Sequence, residues 1–586
     1  MSNSKKGRKS QSFLKGAAIL GASMIVVKLM GMIYKILLSN MYGGVGTGLF
    51  NAAYALYNPL FMLSTAGFPI AISRMVSENV AKKQFRDVKR IHQVSVPIFV
   101  TAGCICFLAM VLGSFMYVRI IKAENAIFAL LCLSPTIFFG CLMSIYRGYF
   151  EGMRNMTPTA VSEIIEAAFK LFFGFTASAV TMNLLENQYR STGYVLGTKC
   201  ASLDDARAVI IPIAIGAAIT GISLGAVFGF LYLFIKYKRS GDGITSAELA
   251  KSPKPKKDRE ILKTMVKTAL PVGMGSIIMS LADMVDATLV QRRIDHIMQT
   301  QPKALLDIYG SLIPDSVYSS GQTHIYLYGC YGIALTLMML VSAVTQVFGT
   351  TALPSVTAAW TSGDKVQMKK SMETVLRVTM LVTIPSGIGM SVLSEPLLSL
   401  IYSGGGVANE VEIGSKVLTV MGISAVFIAT STPMCSMIQA TGRMDIPLKL
   451  YTIGMVLKII VNYILVGIPE INIQGANVGS IVCYGFVTVT AMFFLCRTTG
   501  IIPDFMSIFV KPLGASLICA AAAYFSEQFF DIFVTQKIAT LLAVVTAVVV
   551  YVAALLLLRA VQREDILQMP KGNKILKILE KRRLIR

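Results

Sequence analysis

Runs of apolar residues long enough to cross a bilayer recur along this chain, separated by polar loops that alternate in charge. Stretches with few ionisable residues give about fourteen segments: 13–40, 49–77, 91–118, 126–149, 158–183, 208–236, 262–290, 324–349, 371–400, 414–439, 448–468, 475–496, 511–530 and 537–559. A hydrocarbon core of about 30 Å needs roughly twenty helical residues to span it. Lipid offers no partner to exposed backbone groups, so each segment is expected to be a helix. The pattern predicts an all-α polytopic membrane protein.

Composition agrees, with 54% hydrophobic and only 15% charged residues. The net charge of +23 would suggest nucleic acid for a soluble chain, but its placement points elsewhere. Lys and Arg collect in the tail 1–12, in the loops 82–90, 236–263, 365–370 and 443–449, and in the tail 560–586. The intervening loops are poorer in them and carry acids such as Asp204, Asp205, Asp307, Asp315 and Glu410. Basic loops stay cytoplasmic, so both termini are expected inside, the number of spans even, and no nucleic-acid partner is implied. The ten cysteines mostly lie inside apolar segments and read as small packing residues. Cys200 and Cys330 are the two placed where a bridge could form.

The longest basic, Pro- and Ser-containing stretch, 237–258, follows the sixth segment and reads as a disordered cytoplasmic linker. Weak internal similarity flanks it. Gly67-Phe68-Pro69 at the exit of the second segment resembles Ala352-Leu353-Pro354 at the exit of the eighth. The turn Phe150–Pro158 resembles Ala440–Pro447, and a lysine follows each turn at nearly the same distance, Lys170 and Lys458. The organisation expected is a basic tail (1–12), a six-helix lobe (13–236), a linker (237–261), a second six-helix lobe (262–496), an added helix pair (511–559) and a basic tail (560–586). Repeats of six helices keep the same orientation in the membrane.

Enzyme motifs are missing: there is no G-x-x-x-x-G-K-[ST] loop, and no cofactor is implied. Gly221-Ile222-Ser223-Leu224-Gly225 matches G-x-S-x-G only by letters, because it falls within an apolar helix; with Gly229 it reads as a close-packing stripe. What chemistry the chain offers lies in ionisable residues at membrane depth, each costing roughly 3 kcal/mol or more unless it faces a cavity or a partner. Lys28 and Lys35 share a face of the first segment, and Arg74 lies near the inner end of the second. Glu163, Glu166 and Lys170 share a face of the fifth, where Glu166–Lys170 could be an i,i+4 pair. Asp283 and Asp286 lie on the seventh segment, and Lys458 and Asn462 on the eleventh. Asp286 and Lys458 are candidates to pair with one another. Several cations and few acids suit an anionic substrate.

The stretch Tyr146-Arg147-Gly148-Tyr149-Phe150-Glu151-Gly152, with Asn155, Met156 and Pro158, resembles stage V sporulation protein B-like polysaccharide exporters, as do Gln439–Arg443 and Ser394–Tyr402. These belong to the multidrug/oligosaccharidyl-lipid/polysaccharide flippase superfamily, which includes the MurJ-type lipid II flippases. The resemblance implies alternating access by two lobes, a cationic cavity for the pyrophosphate of an undecaprenyl-linked glycan, and an added helix pair forming a groove for the lipid tail. It assigns Lys28, Lys35 and Arg74 to the substrate, and Lys170 stands beside them as a further substrate-binding candidate read from the chain's own pattern. Asp283 or Asp286 would match a sodium-site aspartate, with Lys458 and Asn462 at its partner positions. A lysine there would occupy a cation's place. The expectation is therefore a non-enzymatic flippase of the bacterial cytoplasmic membrane, partnered by its lipid-linked glycan and membrane lipids and acting as a monomer, with peptidoglycan lipid II as the first substrate candidate. An O-unit-type exporter, a drug/cation antiporter, and a scaffold for wall or spore-envelope synthesis are the alternatives.

Overall fold

The computed structural model describes residues 13–65, 67–240, 244–402 and 406–562. The two basic tails, apart from 560–562, lie outside the described residues, as do 241–243 of the linker. Among the described residues thirteen helical spans are long and apolar enough to cross a membrane. The first of them, Ile19–Ala81, has 63 residues, about 94 Å if straight, or roughly three hydrocarbon cores. It breaks at Gly43 (φ 60°, ψ −152°) and again at Gly67 (φ 80°), conformations that glycine adopts without strain. Counted as two crossings, this span brings the number to fourteen, as the hydropathy pattern predicts.

The helices of the first part of the chain are α1 Phe13–Thr65, α2 Phe68–Ala81, α3 Phe85–Ile120, α4 Ile127–Gly152, α5 Thr157–Ala168, α6 Phe175–Thr192, α7 Leu203–Ser240, α8 Ser246–Lys251 and α9 Asp258–Thr300. A two-stranded hairpin, Tyr194–Val195 against Thr198–Lys199, joins α6 to α7. Then come α10 Pro302–Tyr309, α11 Asp315–Ser319, α12 Thr323–Ser362, α13 Lys365–Val392, α14 Ser394–Ile401, α15 Ala408–Ala440, α16 Asp445–Leu465, α17 Gln474–Thr499, α18 Lys511–Asp531 and α19 Gln536–Leu557. Packing divides the chain into two compact units at Arg292, inside α9. The first runs to Arg292 and takes in Pro314–Tyr326; the second holds Arg293–Ile313 and Leu327 onward.

In the first unit, α4 and α7 form the centre, with cores around Tyr34, Leu49, Leu130 and Ile215, and around Ile72, Val88, Met143 and Ile261. The glycine stripe on α7 explains how closely its neighbours approach. A Cβ on Gly221 would run into Gly174, and one on Gly225 would stand 2.8 Å from the Glu166 carbonyl oxygen. The small-residue reading of Gly221, Gly225 and Gly229 therefore holds. The linker, by contrast, is not disordered where it is described. Thr245 closes a capping box with Glu248 on α8, and Arg86 Nε donates to the Leu249 carbonyl (2.9 Å). Lys256 N–H donates to Asp87 (2.7 Å), and Arg90 forks onto Asp258 (2.7 Å). Composition could not show that the start of α3 carries the acid and the two arginines that fasten these residues down.

In the second unit, α13, α15 and α17 share a core around Met372, Met434, Ile438 and Leu495. The helices α18 and α19 pack on each other, and Tyr551 Oη donates to the Leu381 carbonyl (2.8 Å), tying the pair to α13. All ten cysteines are free thiols, including Cys200 and Cys330.

Candidate functional site

The fifth crossing is not a plain α-helix. Between α5 and α6 the backbone widens into a π-helical segment, Phe169–Gly174, a feature frequent at functional positions. Lys170 projects from it into a group of rings on α1. Its Nζ lies 5.2 Å from the centre of Tyr34, 5.5 Å from Tyr54 and 5.9 Å from Phe50, and donates to Tyr54 Oη at 3.3 Å. Phe50 and Tyr54 begin a ladder that continues through Tyr57 and Phe61, with centroids 4.7–5.5 Å apart. Spacings of four, three and four put them on one helix face. Lys35, one residue after Tyr34, is half-buried and feels the charge of Lys170. One ammonium group held against π faces, which attract cations, with a second lysine near enough to repel it, makes a place where an anion is favourable.

The frame around them is stiff. Tyr34 Oη donates to the Ala218 carbonyl (2.8 Å), and Tyr42 Oη shares a hydrogen with Ser178 Oγ (2.7 Å), which donates to the Ala214 carbonyl. These bonds lock α1 against α6 and α7 on either side of Lys35.

The acids of the same helix are engaged elsewhere. Arg147 of α4 forms an ion pair with Glu166, and its Nε donates to Ser162 Oγ at 3.0 Å. Ser23 Oγ donates to Glu163 (3.1 Å). Glu166 thus belongs to Arg147, and the i,i+4 pair with Lys170 open to the sequence is replaced by Lys170–Tyr54. Among the residues resembling the exporters, Tyr146 and Tyr149 surround the buried His92 together with Tyr237, at 4.5–5.3 Å between centroids. Gly148 lies against Pro69 of α2. That motif supports the site by docking α4 onto α2, α3 and α7.

The remaining sequence candidates fall outside this group. Lys28 and Arg74 are exposed on α1 and α2, and on α9 Asp283 is exposed and Asp286 half-buried. All four belong to the first unit. Lys458 and Asn462 are buried in α16 of the second unit, where Gly479 of α17 packs against the Asn462 carboxamide. Among the described residues no group of three His, Cys, Asp or Glu could hold a metal ion. The structure sharpens the repeat. Each turn has its left-handed residue three positions before a helix, Arg154 (φ 59°) before Thr157 and Gly442 (φ 86°) before Asp445. Lys170 then follows Thr157 by thirteen residues, and Lys458 follows Asp445 by thirteen. They occupy the same register.

Two arginines escaped the sequence reading. Arg147 lay in a motif taken as a family signature. Arg377, 2% exposed, donates to Ser507 Oγ (3.2 Å), while neighbouring Glu373 accepts from Asp504 N–H (3.1 Å). A lone arginine inside the apolar stretch 371–400 was the signal that could have found it.

A family model described as "Polysaccharide biosynthesis protein" matches residues 13–357, and one described as "MatE" matches 328–464. Lipid II flippase MurJ of Bacillus subtilis (strain 168) is 22% identical over 494 residues, covering 82% of this chain and 83% of its own. Stage V sporulation protein B of the same organism is 22% identical over 577 residues, covering 96% and 98%. A solved structure, "Lipid II flippase MurJ, inward closed conformation", superposes with a TM-score of 0.58 at 16% identity, over 92% of this chain and 98% of that one.

Proposed function

The chain belongs to the polysaccharide biosynthesis protein family, a multi-pass membrane transporter of the multidrug/oligosaccharidyl-lipid/polysaccharide superfamily, and from that premise we propose that it flips a polyprenyl-pyrophosphate-linked glycan across the bacterial cytoplasmic membrane. The observation that carries this reading is Lys170, held against Tyr34, Phe50 and Tyr54 with the like charge of Lys35 nearby. Pyrophosphate offers an ammonium group charge-assisted bonds that an aromatic ring cannot match, so substrate would draw Lys170 off the rings. Lys458, at the same register of the second repeat, supplies the counterpart cation. Lys28 and Arg74, both exposed, are further candidates to contact the anion.

An organic-cation antiporter would need available carboxylates beside Lys170, whereas Glu166 is paired with Arg147 and Glu163 accepts from Ser23. A scaffold would not need lysines withdrawn from solvent at matched positions, Lys458 buried and Lys170 half-buried. Peptidoglycan lipid II is the first substrate to test, because the relatives include a protein named for it. Depleting the protein and quantifying lipid-linked glycans on the inner leaflet tests the reading. Accumulation of one such precursor is the result expected, and unchanged inner-leaflet pools would overturn it.

A further inference from the structure

We propose that the first unit carries a binding site for an anionic phospholipid, separate from the Lys35–Lys170 group, between the far end of α3 and Arg292 of α9. A cavity of about 550 Å³ is lined there by Leu112, Phe115, Met116, Arg119, Ile120 and Arg292. The five α3 residues sit at i, i+3, i+4, i+7 and i+8, so they form one stripe of the helix. Ile105 and Leu108 extend the stripe towards the middle of the bilayer, making it about 16 Å long from Ile105 to Met116. These side chains are open, Leu112 at 69% and Met116 at 68%. An exposed apolar stripe of this kind marks a surface that meets lipid.

The two arginines distinguish this stripe from ordinary lipid-facing helix. Arg119 stands one residue before the end of α3, and Arg292 reaches the same cavity from a different helix. No acidic side chain lines the cavity, and neither guanidinium has an ion-pair or hydrogen-bond partner among the described residues. Guanidinium groups fork onto phosphate oxygens, and their stems lie along apolar surface while the charged ends reach the interface. Two guanidinium groups above an acyl-wide apolar stripe complement one phosphodiester headgroup carrying net negative charge, with its chain against Leu112 and Met116. Both helices start at the basic residues 82–90 and 254–263 and the cavity lies at their opposite ends, so the site faces the leaflet away from those loops. The polyprenyl substrate shares phosphate and an apolar tail. The site takes the bilayer phospholipid and not the polyprenyl substrate.

The test uses the full chain in detergent, titrated with phosphatidylglycerol, phosphatidylcholine or undecaprenyl phosphate and read by native mass spectrometry. Phosphatidylglycerol is expected to bind at least tenfold more tightly than phosphatidylcholine. The R119Q/R292Q double variant should lose that preference, while Arg259→Gln, an exposed arginine at the opposite end of α9, should keep it. A second measurement does not depend on the arginine variants folding: in Met116→Trp, dibrominated phosphatidylglycerol should quench the new indole more strongly than dibrominated phosphatidylcholine at equal mole fraction. Equal binding of the two phospholipids, an unchanged preference in R119Q/R292Q, or an arginine-dependent site that takes only undecaprenyl phosphate would each overturn the proposal.

Discussion

Replacing Lys170 with glutamine separates a substrate-binding lysine from a structural one. In the resting protein its ammonium group contributes cation–π attraction to three rings at 5.2–5.9 Å, worth about 0.5–2 kcal/mol. Repulsion from Lys35 offsets part of that. Folded yield of Lys170→Gln should therefore stay near wild type. A charged hydrogen bond to a phosphate oxygen is worth about 1.5–3 kcal/mol, and 1.4 kcal/mol is a factor of ten. Transport at sub-saturating substrate should then fall about ten- to hundredfold. Lys170→Arg keeps both charge and ring stacking and should retain most activity. Tyr54→Phe removes the 3.3 Å bond but keeps the ring, so its effect should be slight. The assay is flipping of a lipid-linked glycan in proteoliposomes, normalised to folded protein. Wild-type flipping by Lys170→Gln would refute the reasoning, because it would reduce the lysine to a packing element of α1.

Gly225→Leu should abolish folded yield, since even a Cβ there stands 2.8 Å from the Glu166 carbonyl oxygen and overpacking costs about 1–3 kcal/mol; Gly113→Ala, with open space around it, should leave gel-filtration profiles unchanged. A cysteine at Lys254, exposed in the docked linker where Ser252 is buried, should resist membrane-impermeant maleimide in intact cells and react after permeabilisation; labelling from outside would invert the topology. Lys458→Ala should lose transport, and wild-type flipping should persist when sodium is replaced by choline at constant membrane potential. Arrest in choline would restore a sodium site on α9.

The count of crossings was legible because lipid imposes one requirement on every span, and hydropathy measures it. The places where the chain departs from a straight crossing were harder to see. The bend at Gly43 sits in Tyr42-Gly43-Gly44, which the apolar pattern treats only as the end of a segment, and the helix resumes at once. Whether a linker is ordered depends on what it touches: Asp87, Arg86 and Arg90 hold 249–258, yet they lie about 160–170 positions away in sequence. Pairing inside the membrane is hard to read from sequence for a similar reason. Regular helix geometry brings Glu166 beside Lys170, but Arg147 claims the carboxylate and the π-helical segment begins one residue before the lysine.

That segment also sets apart the surroundings of two lysines that share one register. Lys458 sits in an uninterrupted α-helix, buried to 7% exposure, and Gly479 packs against Asn462 one turn on. Lys170 sits where the backbone is wider and is half-buried among rings. The first repeat also breaks at its proline exit, where α2 starts afresh after Gly67. A widened helix and a broken one in the first repeat both lower the cost of local rearrangement, because each already forgoes regular backbone hydrogen bonds. Under the proposed function, the first repeat is the one suited to release its lysine. In the proposed cycle Lys170 moves off its rings to meet pyrophosphate, and Lys458 stays fixed. Spin labels at Thr181 in α6 and Thr452 in α16, each measured against a reference site in its own unit, should show substrate-dependent broadening for the first and none for the second. Equal movement in both repeats would remove the π-helical segment from the mechanism.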